Sequence, residues 1–464
     1  MTKRIIISIL TIYMLLTPIN VHANQSINKY ENEELNNITN NAVSNNSEID
    51  YYENKVTIEY NKAEQKALDN APNIGCKAAY IADPITGKIF YEKNAHEKMY
   101  PASTTKILTA LVVLEKCELT EKAVVSRNAL KLVPSGYSNA KLQAGEELDI
   151  KTLLYALLIP SANEAANVLA EHVSGSIEAF AELCNNRAKE LGCETLHFVN
   201  PNGLHDKNHY CSAYDLYLIA KECQKYEVFR DIVKTKSFTV PATNIYRKND
   251  RTFYNTNSLI LPSAKNYYYS YCTGIKTGHT TPAGECLVAS SSHDNIDLIS
   301  VVLGGGTNSK GLNERFYDTK QLFEFVYNNY SYKKIVDEKT VEETVHVKKA
   351  TRDTASLDII INTSISGIVP KDLDINNIQT KIDLFDEITA PIEQNQKLGN
   401  ITFDIDGVKY TAELVASHDV EKPPFWIQNM VVVGIIIFII LIISLIIKKQ
   451  KIKKRKLELK NRYS

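Results

Sequence analysis

Apolar and polar positions change rhythm several times along the chain, and each rhythm predicts a different kind of element. Lys3 and Arg4 precede an apolar run from Ile5 to Leu16, and P-I-N-V-H-A-N follows, with Val21 and Ala23 at the positions a signal peptidase reads. The run is short for a bilayer, so 1–23 reads as a cleaved secretory signal, with a retained N-terminal anchor as the alternative. Over 24–70 apolar side chains become sparse, as in N-N-I-T-N-N-A-V-S-N-N-S. Such a stretch has little to offset its ordering entropy and predicts a flexible polar leader, with order beginning near Ile74. From Lys77, A-A-Y-I-A-D-P-I-T-G-K-I-F-Y-E-K-N predicts two short strands turning at Asp83-Pro84-Ile85-Thr86-Gly87.

After Ser103 the period changes. Ile107, Leu108, Leu111 and Val112 follow i, i+1, i+4, i+5, the stripe of a buried helix. Helical segments continue to about Tyr226, including I-K-T-L-L-Y-A-L-L-I and N-E-A-A-N-V-L-A-E-H-V. Strand patterns return over 272–280, 285–291 and 296–303, and a helix over 313–329 closes the unit. Strands, many helices, strands and a helix predict an α+β domain over 71–333, its sheet split in sequence around a helical insertion. The next stretch alternates, as in T-V-E-E-T-V-H-V, and I-T-F-D-I-D-G-V-K-Y-T-A-E-L-V is a hairpin on Asp406-Gly407, so 334–421 predicts a small β-sandwich of spacer or docking character.

The C-terminal run is of another kind. From Met430 to Ile447 no charge interrupts V-V-V-G-I-I-I-F-I-I-L-I-I-S-L-I-I. As a helix it is about 27 Å long, close to a ~30 Å hydrocarbon core. Phe425 and Trp426 precede it, at interface level, and Lys448, Lys449, Lys451, Lys453, Lys454, Arg455, Lys456, Lys460 and Arg462 follow against the single Glu458. A transmembrane helix over 428–447 with a basic cytoplasmic tail over 448–464 follows from that asymmetry, which leaves the preceding domains outside. A buried core helix would not need such a tail.

The 464 residues carry a net charge of −1, and with the basic tail set aside the remainder is mildly acidic, so nucleic acid is not an expected partner. Eight cysteines are present. An exported chain could pair them, yet no C-x-x-C or metal-ligand spacing occurs, so their pairing stays open and neither a metal nor a cofactor is expected.

Three short motifs carry candidate chemistry. In Y-P-A-S-T-T-K-I-L-T-A, Ser103 and Lys106 lie three residues apart at a helix start. On one helix face the Lys106 amine reaches the Ser103 oxygen, and a lysine whose pKa is pulled towards neutrality can act as the base a serine nucleophile needs. Alone, the pair reads rather as a helix cap with a solvated lysine. Ser161-Ala162-Asn163, after Pro160, sits between two apolar helices and would otherwise be a capping turn. Lys276-Thr277-Gly278, in C-T-G-I-K-T-G-H-T-T, puts Lys276 and Gly278 on one face of a strand. The lysine offers charge to a carboxylate and the glycine room for a substrate backbone; an edge strand with a protective lysine is the plainer alternative.

In combination and in this order, S-x-x-K, S-x-N and K-T-G resemble the signature of penicillin-binding proteins and class A β-lactamases. The blocks L-x-x-G-E-x-L-x-I-x-x-L-L-Y-A-L-L-I-P-S-A-N-E-A-A, H-F-V-N-P-N-G-L-H, H-Y-C-S-A-Y-D-L and K-T-G-H-T-T-P-A-G-E-C-L-V-A-S extend that likeness over roughly 75–420. The chain is similar to the D-alanyl-D-alanine carboxypeptidases among the low-molecular-mass penicillin-binding proteins. The resemblance implies a β-lactamase/penicillin-binding transpeptidase-like catalytic domain, an antiparallel sheet with a helical insertion, followed by the small all-β domain and the C-terminal transmembrane helix. It implies Ser103 as nucleophile, Lys106 as its base, Ser161 as proton relay and Asn163 as the amide that orients Lys106 or holds the substrate amide. Lys276 and Thr277 would hold the terminal carboxylate, with Gly278 beside them in the substrate-binding strand, and the N–H groups of Ser103 and His279 would hold the oxyanion.

The implied partners are a peptidoglycan stem peptide ending in D-Ala-D-Ala, β-lactam antibiotics as covalent inhibitors, and the membrane. An endopeptidase on cross-links, a β-lactamase and a membrane β-lactam sensor remain alternatives. No E-x-x-L-N follows S-A-N, so the acid of fast class A deacylation is missing. Two departures stand out. Ala162 replaces the more usual Gly or Asp, and the C-terminal helix spans where many relatives have an amphipathic helix lying on the membrane. His279 beside a serine motif is not read as a triad base, since Lys106 fills that role. His205 and His209 lack the glutamate of a zinc motif, and Asn200-Pro201-Asn202-Gly203 reads as a turn shaping the site wall.

Overall fold

The computed structural model describes residues 56–65, 70–248, 251–424, 427 and 429–461, all within one compact unit, Tyr51–Ser464. The expected signal over 1–23, most of the leader, and Phe425 and Trp426 lie outside the described residues.

Seventeen described strands and nine described α-helices build two domains and a C-terminal helix. The first strand, β1 (Val56–Tyr60), belongs to the second domain. The first domain then contains β2 (Ala78–Ala82), β3 (Ile89–Lys93), α1 (Lys106–Lys116), β4 (Lys122–Val124), α2 (Arg127–Lys131), β5 (Glu147–Asp149), α3 (Ile150–Leu158), α4 (Asn163–Ser174), α5 (Ile177–Glu190), α6 (Ala213–Cys223), α7 (Glu227–Lys234), β6 (Ser237–Thr239), β7 (Thr252–Tyr254), β8 (Cys272–Thr280), β9 (Gly284–His293), β10 (Ile296–Gly305) and α8 (Glu314–Asn329). Its antiparallel sheet has the order β3-β2-β10-β9-β8, so the chain lays down two strands, inserts the helices, and returns to complete the sheet.

Both faces of this sheet are covered. Ala78, Tyr80 and Ala82 of β2 point into the helical core, whereas Ala79 and Ile81 point to the opposite core, which α8 closes with Phe316, Leu322, Phe323 and Val326. Cys286 and Val288 alternate with Leu287 and Ala289 in the same way on β9. Double-sided burial explains why these strands read as continuous apolar runs rather than as alternating ones. Helix α1 is more buried than its sequence stripe predicts. Every residue from Lys106 to Val113 is buried, because α1 runs through the middle of the helical insertion with α3, α4, α5 and α6 around it.

The second domain comprises β11 (Tyr330–Val336), β12 (Val341–His346), β13 (Ser356–Ile361), β14 (Ile365–Pro370), β15 (Gln379–Leu384), β16 (Lys397–Ile405) and β17 (Val408–Ala416). The main sheet runs β12-β13-β17-β16-β15, and β11 pairs with β14 as a separate ribbon across a core of Ile359, Ile361, Val369, Ile401, Phe403, Tyr410 and Leu414. The expected hairpin turns at Asp406 and Gly407, both at positive φ (51° and 81°), the conformation a tight hairpin turn needs.

Two boundaries require correction. The leader expected to stay flexible over 24–70 contains β1, which pairs antiparallel with β17 from Val56↔Ala412 to Tyr60↔Val408 and packs Val56, Ile58 and Tyr60 on the β-domain core. Averaged composition hid the V-T-I-E-Y alternation. The passage expected at 333/334 falls inside β11, which starts directly after α8 at Tyr330. The expected span continues as one helix: α9 (Met430–Lys460) runs unbroken through 31 residues, and its last turns carry the basic residues from Lys448 to Lys460. It is the one helix, among the described residues, long and apolar enough to cross a membrane, with mean hydropathy 3.6 over its best window.

A buried ion pair joins the two domains. Lys88, before β3, reaches Asp406 in the β16–β17 turn at 2.6 Å, with both side chains nearly inaccessible. The segment after β1 braces the same joint: the Asn61 N–H donates to the Gly407 carbonyl of the turn at 2.7 Å, and the Gln65 side-chain amide donates to the Ile89 carbonyl of β3 at 2.8 Å.

Candidate active site

Ser103 lies in a single 3-10 turn, Ala102–Thr105, that leads directly into α1, so its side chain points from the mouth of the helix while Lys106 occupies the first helical position. Behind this turn, the Asn200–Gly203 loop presses close. Gly203 has φ +83°, and a Cβ there would strike the Ala102 carbonyl. His209 Nδ1 accepts the Val199 N–H at 3.2 Å, so Nε2 carries the proton and donates to Thr105 Oγ1 at 2.8 Å, whose own hydroxyl donates to the Ala102 carbonyl at 2.8 Å. Burial lowers the His209 pKa to about 3, which keeps it a neutral brace.

Lys106 is completely buried. Its Nζ lies 2.9 Å from Ser103 Oγ, 2.8 Å from Asn163 Oδ1 and 2.5 Å from the Asn202 carbonyl. Burial, then the Lys276 charge, pulls its pKa well below that of an ordinary lysine, while Glu164 opposes the shift. A neutral amine has two N–H groups and one lone pair. The two carbonyl oxygens take the N–H groups, which leaves the lone pair aimed at Ser103, whose hydroxyl then donates to it.

The S-A-N turn is built around α4. Ser161 is held at φ +65°, Ala162 is the N-cap, and Asn163 begins the helix. The Asn163 amide cannot flip without loss, since its Nδ2 donates to the Ser138 carbonyl at 3.1 Å while Oδ1 accepts from Lys106. Ser161 Oγ is buried and has no hydrogen-bond partner among the described protein groups. Glu164, next in sequence, is buried too; Oε1 accepts the Ala140 N–H at 2.6 Å. Burial raises its carboxyl pKa, against the pull of the N–H groups of Ala140, Glu164 and Leu142 and of Lys106.

On the other side, β8 brings Lys276, Thr277 and Gly278 against the Ser103 turn. A Cβ on Gly278 would sit 2.8 Å from the Pro101 carbonyl and 3.1 Å from the Ser103 nitrogen. The glycine therefore permits strand and nucleophile turn to touch, beyond any room it leaves for substrate. Lys276 is buried, its Nζ donates to the Thr277 carbonyl at 3.0 Å, and burial, then Arg315, lowers its pKa to about 7. Thr277 Oγ1 is 2.6 Å from Thr256 Oγ1. The His279 side chain turns out to solvent and meets Glu285 at 3.1 Å, which fits a contribution through its backbone alone.

The turn, helix and strand carrying these groups correspond to the family model for D-alanyl-D-alanine carboxypeptidases, which matches residues 64–307. The chain belongs to the D-alanyl-D-alanine carboxypeptidase family. The model for the C-terminal domain of penicillin-binding protein 5 matches residues 330–422, beginning where β11 begins. Among relatives, the D-alanyl-D-alanine carboxypeptidase DacF of Bacillus subtilis (strain 168) is 34% identical over 358 residues, 75% of this chain and 87% of the relative. Penicillin-binding protein 5 of Haemophilus influenzae superposes with TM-score 0.58 at 26% identity, covering 76% of this chain and 99% of that one. PBP3 of Streptococcus pneumoniae, described as a peptidoglycan synthesis regulatory factor, gives TM-score 0.60 at 25% identity, covering 75% and 100%. The catalytic domain is thus a penicillin-binding fold with an all-β C-terminal domain behind it.

Within this candidate site, Ser103, Lys106 and Asn163 form one bonded cluster, and Lys276, Thr277 and Gly278 line the adjoining strand. Three contributors escaped the sequence reading. Asn202 acts through its carbonyl, and the turn motif alone gave no sign that it would face Lys106. Glu164 belongs to no motif of its own, and its burial near Lys106 is set by the fold. Arg315, at the start of α8, donates to the Gly278 carbonyl at 3.1 Å and pairs with Glu285 at 2.5 Å, a tertiary contact with no local signature. All eight cysteines are free, seven of them buried.

Proposed function

We propose that this protein is a membrane-held serine carboxypeptidase that removes the terminal D-Ala from peptidoglycan stem pentapeptides through an acyl-enzyme on Ser103. The observation that carries this reading is the Lys106 amine, fully buried, without a carboxylate hydrogen-bonded to it and 2.9 Å from Ser103 Oγ. Lys106 takes the hydroxyl proton as Oγ attacks the carbonyl of the penultimate D-Ala. The N–H groups of Ser103 and His279 receive the developing oxyanion; a donor of this kind is worth about 3–4 kcal/mol of barrier. Ser161, whose hydroxyl has no competing partner among the described residues, passes the proton from Lys106 to the leaving amine, and D-Ala departs. Water then attacks the ester, Lys106 accepts its proton, and Ser103 is restored with release of the shortened peptide.

Lys276 and Thr277 hold the terminal carboxylate, which restores full charge to an amine poised near neutrality. A β-lactam, with its own carboxylate and strained amide, acylates Ser103 by the same route and leaves slowly. A cleaved signal over 1–23 and α9 in the bilayer would keep both domains on the outer face. The full chain in detergent, offered a diacyl-D-Ala-D-Ala peptide, releases D-Ala and takes a fluorescent penicillin, and Ser103→Ala does neither. No release and no labelling by the intact chain sinks the proposal; rapid penicillin turnover replaces it with a β-lactamase.

A further inference from the structure

Far from Ser103, on the opposite ends of the helices that carry Lys106 and Asn163, three side chains of metal-ligating type converge. Cys117 is the C-cap residue of α1, Glu121 precedes β4, and His172 lies in the last turn of α4. One ligand atom from each, the cysteine Sγ, a carboxylate oxygen and an imidazole nitrogen, lie within 4.8 Å of one another. We propose that Cys117, Glu121 and His172 form a binding site for a divalent transition metal of the zinc class.

The donor set selects the metal. Thiolate, imidazole and carboxylate together suit Zn2+, while Ca2+ and Mg2+ favour oxygen alone. A tetrahedral Zn2+ with bonds of about 2.0–2.3 Å needs ligand atoms roughly 3.3–3.8 Å apart, so small rotations of partly exposed side chains close the site. His172 Nε2 and Glu121 Oε2 already stand at 3.2 Å. The carboxylate is oriented from behind: the Glu118 N–H donates to Glu121 Oε1 at 2.6 Å, which leaves Oε2 free to face the histidine. Such a second partner behind a ligand is what holds it in register. The fourth corner faces solvent, since Glu121 and His172 are exposed.

The helix ends supply an independent electrostatic reason. Helix α1 stops at Lys116 and α4 at Ser174, so the partly negative C-terminal ends of both helices approach the cluster, and a cation is favoured there. Binding replaces the thiol proton, which leaves to solvent, with the metal. The site then fastens together the far ends of the two helices whose near ends hold Lys106 and Asn163. The alternative is an ordinary surface ion pair between His172 and Glu121 with a bystander thiol.

The test uses the full chain in detergent under reducing conditions, titrated with Zn2+ against a chromophoric chelator and separately with Co2+. One equivalent of Zn2+ binds per chain, Co2+ develops a thiolate charge-transfer band, and Cys117→Ser abolishes that band, since the other seven cysteines are buried. His172→Ala weakens Zn2+ at least about 100-fold, beyond the 10–100-fold typical of losing a supporting partner. Penicillin labelling of both variants stays at the parent level, which verifies folding. Absence of stoichiometric binding, or binding unchanged in either variant, overturns the site. If Cys117→Ser does not fold, His172→Ala and Glu121→Gln decide alone, by the same affinity criterion.

Discussion

Two regions bury a lysine completely and use it in opposite ways. At the domain joint, Lys88 meets Asp406 at 2.6 Å and lies over the Tyr330 ring at 4.8 Å. In the catalytic cleft, Lys106 has only neutral oxygens at hydrogen-bond distance, and Lys276 a backbone carbonyl. Burial lowers the pKa of Lys88 as well, but Asp406 pulls it back by charge and hydrogen bond. Around Lys106 the nearest strong electrostatic influence is a second amine, which pushes the same way as burial. A buried cation costs several kcal/mol unless paired, so burial favours loss of the proton from the unpaired amine, as its proposed role of base requires, whereas the paired one stays an anchor.

The sharpest way to break this comparison is to delete the amine at each place without changing side-chain length. Lys106→Met should lower the rate of acylation by penicillin about 10^2–10^4-fold, the usual worth of a positioned general base. Its melting temperature should hold or rise at neutral pH, because an uncompensated buried amine is gone. Acylation within tenfold of the parent would show that Lys106 is not the base. Lys88→Met should do the reverse. Acylation stays within twofold, while stability falls by about 3–5 kcal/mol because the buried Asp406 charge loses its cation. The double variant Lys88→Met/Asp406→Leu should recover most of that loss in denaturant titrations. A single variant as stable as the parent would mean the joint is not an ion pair in solution.

The two amines of the cleft should also separate by pH. Lys106 must be neutral to accept the serine proton, so acylation rises with pH through its depressed pKa. Lys276 must be charged to hold a carboxylate, and in the free enzyme it loses its proton above about 7. Binding a carboxylate above that pH therefore takes up a proton, and KM for a D-Ala-D-Ala peptide rises by up to tenfold per pH unit, while an amide-capped peptide shows no such rise. A folded pKa below the ~10.4 of an exposed lysine also means that the unfolded chain binds more protons between about 7 and ~10.4, so stability increases with pH across that window. A flat KM from pH 6 to 9 removes Lys276 from carboxylate binding.

Most of the candidate site was legible because its groups ride on local context. Ser103 and Lys106 share one helix start, Ser161 and Asn163 one turn, and Lys276 to His279 one strand, and the structure sets them on those elements. What stayed hidden acts through the backbone or across the fold. The Asn202 carbonyl carries no side-chain signature, Arg315 reaches Gly278 from 37 residues away, and Cys117 meets His172 only after α1 and α4 pack. For the fold, double-sided burial made β2, β9 and β10 recognisable as strands. The same logic failed for α1, where a stripe of four apolar residues understated a helix buried all round.

Strand β1 was the largest omission, and it leads to the smallest effect. Its alternation of half-buried Val56, Ile58 and Tyr60 with exposed Thr57 and Glu59 is the signature of a strand with one face on a core, diluted by the polar residues around it. Ile58→Ala should remove a half-buried side chain from the β-domain core and cost about 1 kcal/mol, a few degrees in Tm. Thr57→Ala, one residue away on the solvent face, should stay within about 0.5 kcal/mol of the parent. Neither should alter acylation, because β1 docks on β17 and not on the catalytic sheet. Equal Tm shifts for Ile58→Ala and Thr57→Ala would mean that the strand is not seated on that core. A shift confined to Ile58 would mean that a segment preceding the catalytic domain helps to hold the domain that follows it.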